Sequence, residues 1–385
     1  SRSRLAKPPR QTRPKHTMSL KRWGDAIGYF NLAGVAIEAL VRIPQRVEPP
    51  SKYAETVWKN LPQNLASKTY AITGCSRGMG LVLAKHIAQR SGNLILLNRP
   101  SKHTDVAFGE LKSLAEAAPL GGGSVVKINC DLCNFESVRS AATELRTHIE
   151  GSSNSSLDGL VLNAGLMAQL DVRTNDGFDI QMQANHFSHF LLTSLVFDLL
   201  EAAADGPHGE ARVISHSSGA RNQPDEALRH EAFEKAWHDG SALAGDQKPM
   251  AKWVRYQQSK RANLAFTYAL ADLIDSKGAT VKALCAHPGA TNSGLQSHTD
   301  AASWLDRFIN GLAVVAGQST EDGCLPLAVA TLQEGVKNGE FYGPKGLTGN
   351  AELLDGEREW GAGYDKAQLD MLWEASNAAT GAAWA

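Results

Sequence analysis

Cysteine is scarce in this 385-residue sequence, net charge is nearly absent, and long apolar runs are missing. The five cysteines (Cys75, Cys130, Cys133, Cys285, Cys324) are odd in number and irregularly spaced, in a chain too long to need staples. That excludes a disulfide scaffold and fits a reducing compartment. Cys130 and Cys133 form a C-x-x-C, but no second pair accompanies them, and the motif follows a strand-like run instead of opening a thioredoxin-like unit. A formal net charge of −1 gives the average surface no attraction for nucleic acid or acidic substrates. No apolar stretch reaches the ~18 residues needed to span a bilayer. There is no internal repeat, and the G-x-S-x-G elbow of a serine hydrolase is absent. His186 and His189, at i and i+3, have only His216 near them in sequence and no carboxylate cluster, so they read as helix packing and no metal site is expected.

What charge there is lies unevenly. Residues 1–17 hold Arg2, Arg4, Lys7, Arg10, Arg13 and Lys15 with no acidic residue, a basic arm and not part of a core. Its Arg, Ser and Pro content, with Ser at position 1, reads as the remainder of an organelle-targeting region, although a fragment starting upstream of Met18 would look the same. The expectation is a plastid, a mitochondrion or a membrane surface, and otherwise the cytoplasm. Ala26–Ile37, flanked by Asp25 and Glu38, is apolar around much of its girth when wound as a helix. It could lie on a membrane, dock on a partner or pack on its own domain, docking on protein being the commonest outcome.

From about residue 66 the pattern changes. Apolar, β-rich runs at "TYAIT", "NLILLN", "SVVKINC", "LDGLVLNA", "ARVISHS" and "TVKALCAHP" alternate with stretches of helical period. Near-continuous apolar strands separated by helices predict an α/β fold, a doubly wound parallel sheet covered on both faces. We therefore expect an N-terminal extension over 1–66 and one domain over 67–385. The polar, weakly periodic stretch 221–252 reads as an insertion at one end of the sheet, a substrate lid.

"TGCSRGMG", residues 73–80, sits between the first strand and a helix. Gly74, Gly78 and Gly80 are spaced G-x-x-x-G-x-G, which differs from the G-x-G-x-x-G dinucleotide fingerprint and alone is a weak signal. In a strand–turn–helix setting such glycines let backbone approach a pyrophosphate at a helix N-terminus. The next strand ends "LILLNRP", giving Asn98 and Arg99 where an NAD-selective site keeps a carboxylate. Arg77 in the loop adds a second cation, and the arginine pair favours a 2′-phosphate, hence NADP(H).

Farther on, "YQQSK" places Tyr256 and Lys260 four residues apart on one helical face. An ammonium beside a phenol lowers the phenol pKa from its usual value of about 10, which would tune Tyr256 for proton transfer to a carbonyl oxygen.

With these motifs in order, the sequence resembles the classical short-chain dehydrogenases/reductases over residues 68–345. "TGCSRGMG" matches the family's cofactor loop, including Ser76 and Met79. "CDL" puts Asp131 and Leu132 at the adenine, and "LNAG" puts Asn163, Ala164 and Gly165 under the cofactor. "NHFSHFLLT" supplies Asn185, "VISHSSGA" supplies the serine, best matched by Ser218 with Ser217 second, and "HPGATNSG" supplies Pro288, Gly289 and Thr291 near the nicotinamide carboxamide. "NHFSHFLLT", "YQQSKRANLAF", "GEFYGPKG" and "LWEASNAATG" are similar to the retinol dehydrogenases and related bacterial oxidoreductases.

The resemblance implies a Rossmann-type fold that binds NADP(H) and a bulky, apolar carbonyl or alcohol. It also implies roles: Ser218 bonds the substrate oxygen, and Tyr256 donates or accepts the proton. Lys260 tunes Tyr256 and binds ribose, and Asn185 orders a relay water. The chain departs from the pattern in Ser188, where the subgroup has Gly, in the 38-residue spacing from Ser218 to Tyr256, and in the extension. The extension motivates a second reading, an accessory subunit of a larger organellar membrane complex that binds NADP(H) and makes its contacts through residues 1–45. The two readings part on solution mass and on the effect of deleting residues 1–66.

Overall fold

The computed structural model describes residues 49–152, 156–222, 227–235, 250–291, 317–355, 358 and 364–384. The basic arm and the apolar stretch near 23–41 lie outside the described residues, and the expected lid is described only in part.

Each apolar run noted above becomes a strand: β1 (Thr69–Thr73), β2 (Asn93–Asn98), β3 (Val125–Asn129), β4 (Gly159–Leu162), β5 (Ala211–His216) and β6 (Val281–Ala286). Two short strands that the pattern did not show, β7 (Phe341–Gly343) and β8 (Glu352–Leu353), complete an eight-stranded sheet of order β3-β2-β1-β4-β5-β6-β7-β8. All neighbours are parallel except β7 and β8. Three and two residues are too few for a period to be read, which is why sequence alone missed them.

The helices are α1 (Ala54–Asn60), α2 (Gly78–Gln89), α3 (Lys102–Glu116), α4 (Phe135–Gly151), α5 (Ser188–Ala204), α6 (Ala251–Lys277), α7 (Thr320–Leu332) and α8 (Lys366–Thr380). One core packs α4, α5, α6 and α8 against one face of the sheet. The other packs α1, α2, α3 and α7 against the opposite face. In α4 the reason is plain: Asn134 caps the N-terminus through Glu136 N and Ser137 N, and Val138, Ala142, Leu145 and Ile149 form one buried stripe. Each fully buried aliphatic side chain there contributes roughly 1.5–3 kcal/mol.

The compact unit that contains the sheet spans residues 48–385. Residues 49–65, which the sequence assigned to the extension, therefore pack as part of it. Trp58 stacks on His86 with ring centroids 3.6 Å apart, Arg90 donates to Trp58 O at 3.0 Å, and Leu61 and Leu65 are buried.

One expectation needs revision. The helical stretch Ile180–Ala204 is long and apolar enough to cross a membrane by length and composition. Its polar residues interrupt the run in sequence but are bonded inside the protein: His186 to Ser376, Ser188 to Leu132 O, and Thr193 to His189 O. It is a core helix of the sheet's coat.

Chain order reverses between β1 and β4: β2 and β3 lie to one side of β1, and β4 to β8 to the other. A crevice opens at such a switch point, beyond the carboxyl ends of the strands.

Candidate active site

The glycine loop leaves the end of β1 at this crevice. Gly74 has φ 67°, a left-handed conformation that suits glycine, and a Cβ on it would stand 2.8 Å from Ala164. A Cβ on Gly80 would stand 2.4 Å from Asn163 Nδ2 and 2.5 Å from Gly74 O. Both positions exclude a side chain. Arg77 occupies the N-cap of α2 in extended conformation, and the first turn carries no acidic residue, so its N–H groups and positive dipole end are left to an anion. Asn163 Nδ2 ties the loop by donating to Thr73 O and Gly74 O at 3.0 Å each. Asn98 Oδ1 accepts from Cys75 N at 2.9 Å, and the same amide donates to Cys75 Sγ.

The loop forms one end of a cavity of about 670 Å³. Gly74, Ser76, Arg77, Gly78, Met79, Gly80, Asn98, Arg99, Asp131 and Leu132 line that end; Asn163, Ala164 and Gly165 lie along it, and Ser218, Tyr256, Lys260, Pro288, Gly289 and Thr291 complete it. Every candidate catalytic or cofactor-binding residue named from the sequence except Asn185 faces this one space. Arg77 and Arg99 are exposed at the rim. The Asn98 side chain is buried and committed to Cys75, so it braces the loop.

Tyr256 and Lys260 lie in the second and third turns of α6, both buried. Burial pushes the Tyr256 phenol above its ordinary value, and a hydrogen bond with Ser218 acts the other way. The expected lowering by Lys260 is not what this geometry gives. The Lys260 ammonium donates to His216 O at 2.9 Å, and burial brings its own pKa down to about 8. The two serines separate by partner: Ser217 Oγ donates to Lys260 O at 2.7 Å and is buried, whereas Ser218 lines the cavity beside the phenol.

Asn185 sits behind the cavity wall in a π-helical turn, Gln183–Phe187, an irregularity frequent at functional sites. Its side chain clamps the turn after Gly165: Oδ1 accepts from Leu166 N at 2.7 Å, and Nδ2 donates to Leu166 O at 2.9 Å and Ser259 Oγ at 2.8 Å. Ser259 in turn donates to Tyr256 O at 2.8 Å. A Cβ on Gly165 would lie 3.1 Å from Lys260 Nζ and 3.2 Å from Asn185 Oδ1, so a side chain there would crowd the amine and the Asn185 amide.

With this geometry in view, comparison with known proteins is decisive. The model of the short chain dehydrogenase family matches residues 68–228, which hold the glycine loop, Asn163, Asn185 and Ser218. This chain belongs to the short-chain dehydrogenases/reductases. Among curated relatives it is similar to mouse retinol dehydrogenase 11, 29% identical over 316 residues that cover 80% of this chain and 89% of the relative. Human dehydrogenase/reductase SDR family member 13 is 27% identical over 324 residues, 83% of this chain and 74% of the relative. Human retinol dehydrogenase 13 is 32% identical over 235 residues, 61% and 62% of the two chains. Among solved structures, an uncharacterised Mycobacterium paratuberculosis protein aligns with a TM-score of 0.58 at 26% identity, covering 85% of this chain and 98% of that one. A short chain dehydrogenase of Shigella flexneri complexed with NADP aligns with a TM-score of 0.52 at 19% identity, over 73% and 99%, and shares the fold.

In this short-chain dehydrogenase several cavity residues escaped the sequence reading. Leu166, Met167 and Trp253 form an apolar wall near Tyr256, with the Trp253 and Tyr256 rings 6.4 Å apart edge to face. Trp253 lies three residues before Tyr256 on the same helix, so its spacing was a signal available in the sequence. Leu166 and Met167 follow the N-A-G run directly, and the Asn185 clamp holds Leu166. Ser101, His103 and Thr104 line the end near Arg99, and Thr104 Oγ1 donates to Arg99 O at 2.8 Å. Arg255, almost fully buried, lies 3.0 Å from Asp179 Oδ2, angled outside hydrogen-bond geometry, and donates to Gln169 O at 3.1 Å. It ties the residue before Tyr256 to the loop that carries Leu166 and Met167. Burial holds Asp179 up at about 6 against the pull of Arg255. Burial likewise pushes the Cys130 and Cys133 thiols up to about 12 and about 11, the reverse of what a reactive C-x-x-C needs.

Proposed function

We propose that this protein is an NADP(H)-dependent oxidoreductase that interconverts a bulky, apolar aldehyde or ketone and its alcohol. One observation carries the reading: a single cavity joins the glycine loop and two arginines at one end to Ser218, Tyr256 and Lys260 at the other. The residues fit a dinucleotide: Gly74 and Gly80 let the loop close tightly on Ala164 and Asn163 beside the cavity, and the first turn of α2 offers N–H groups with no acidic residue among them. Arg77 and Arg99 support a 2′-phosphate at the rim, where Asn98 is already committed and offers no carboxylate to a ribose hydroxyl. Asp131 and Leu132 would flank the adenine, Asn163, Ala164 and Gly165 the floor, and Pro288, Gly289 and Thr291 the carboxamide.

The bound cofactor supplies or accepts the hydride. The chain supplies the proton and the geometry. Ser218 and Tyr256 together hold the substrate oxygen; the buried phenol keeps its proton until a carbonyl oxygen takes it in reduction, and recovers one in oxidation. Lys260 presents its amine past Gly165 toward the ribose, while Asn185 fixes the wall behind it. Leu166, Met167 and Trp253 exclude water and favour an apolar substrate, and the relatives named as retinol dehydrogenases make retinal the first carbonyl to try. The test is oxidation of NADPH and NADH by the full chain with a panel of aldehydes and ketones that includes retinal. The expected result is turnover of apolar carbonyls with at least a tenfold preference for NADPH. Tight NADPH binding without turnover of any carbonyl would sink the catalytic reading.

A further inference from the structure

His189 takes no part in the chemistry above, yet it is buried at the start of α5 and both of its ring nitrogens are bonded. Nδ1 lies 3.0 Å from Asn185 O, and Nε2 lies 2.9 Å from Thr73 Oγ1. A carbonyl can only accept, so the ring proton is on Nδ1. Nε2 is then bare in the neutral ring and accepts from the Thr73 hydroxyl. That hydroxyl oxygen in turn accepts from Ala164 N at 3.1 Å. Burial, which lowers the imidazole pKa to about 3, keeps the ring neutral and this direction of bonding fixed.

These bonds close a circuit. Thr73 holds Ala164, Asn185 holds Leu166 through both side-chain atoms, and His189 ties Thr73 to Asn185. Gly165 lies in the middle, at the point nearest the Lys260 amine. Thr73 is also the last residue before the glycine loop and receives Asn163 Nδ2 on its carbonyl. The cofactor floor on β1 and β4 and the wall that carries Asn185 thus share one direct polar tie.

We propose that His189 is a positioning residue: it sets the spacing between the glycine loop, the turn at Gly165 and Asn185, and so the fit of the nicotinamide cofactor over Lys260. The inference rests on the cofactor site proposed above. Its mechanism is preorganisation, because a floor held before binding need not be ordered by the ligand.

The test measures NADPH dissociation constants and melting temperatures for the full chain, His189→Phe, Thr73→Val and the double variant. Both singles should weaken NADPH about tenfold, and the double should be no weaker than the poorer single, because both break the same chain. His189→Asn, which keeps a donor near the Nδ1 position, should recover part of the loss and serves if His189→Phe does not fold. Where turnover is seen, kcat should fall with little change in KM for the carbonyl. Variants that melt earlier yet bind NADPH as tightly as the unaltered chain, or single effects that multiply in the double, would overturn the inference and leave the cofactor site standing. If the unaltered chain bound no nicotinamide cofactor, the cofactor reading and this inference would fall together.

Discussion

Gly80 shows how a single residue decides the site. Its Cβ would meet an amide nitrogen and a backbone oxygen, neither of which can move without releasing the loop. Gly80→Ala should therefore weaken NADPH at least tenfold in a binding titration, with a loss of stability of about 1–3 kcal/mol from the crowded loop. Lys260 shows the opposite balance, a residue kept at a cost. Its folded pKa of about 8 lies below the unfolded value, so between the two the folded chain binds fewer protons than the unfolded one. The buried charge costs stability fully below pH 8, and the cost fades as pH rises toward the unfolded value. Lys260→Met should raise the melting temperature at pH 7, by an equivalent of about 1–3 kcal/mol, while abolishing turnover. The gain should shrink above pH 8. The types of these residues were legible in sequence because glycine spacing and Y-x-x-x-K lie within short windows. What was not legible is where each side chain turns. Lys260 points to His216 O and not to the phenol, and the choice between Ser217 and Ser218 rests on partners 43 and 38 residues away.

Among elements, α7 does more than cover the sheet. Gly323 packs so closely on Thr291 that its Cβ would stand 2.3 Å from Thr291 Cγ2, which places the helix directly behind the cavity. One residue earlier, the Asp322 carboxylate accepts from Ser51 Oγ, Lys52 N, Tyr53 N and Ala54 N, so one side chain fixes the start of α1. Burial pushes Asp322 up, but the bonds from Ser51 and the backbone hold it below its ordinary value. Its support is present at neutral pH and is lost as pH falls through that depressed value. Asp322→Ala should cost about 2–3 kcal/mol and speed hydrogen exchange of residues 51–61 more than that of β1. The long strands and helices were readable from their periods, whereas this brace joins residues about 270 positions apart and leaves no local pattern. The lack of a carboxylate at the end of β2 was readable. That Asn98 is spent on Cys75 was not.

At the scale of the molecule, the unit 48–385 contains both cores and every described residue of the cavity. Removal of residues 1–47 should therefore leave NADPH affinity and turnover within about twofold of the full chain, read in the same assay. Saturating NADPH should raise the melting temperature of either form, by an equivalent of about 2.7 kcal/mol at a hundred times the dissociation constant. The doubly wound parallel sheet was legible because six strands alternate with helices, whereas the strand order that opens the crevice was not; the coat was undercounted because residues 49–65 carry too little periodicity to announce that they pack. The most direct measurement compares the full chain with Tyr256→Phe in NADPH oxidation by retinal, with NADPH binding followed in parallel. The account predicts turnover by the unaltered chain, a fall of at least a hundredfold in the variant, and unchanged NADPH binding. Equal turnover by the two proteins would contradict it.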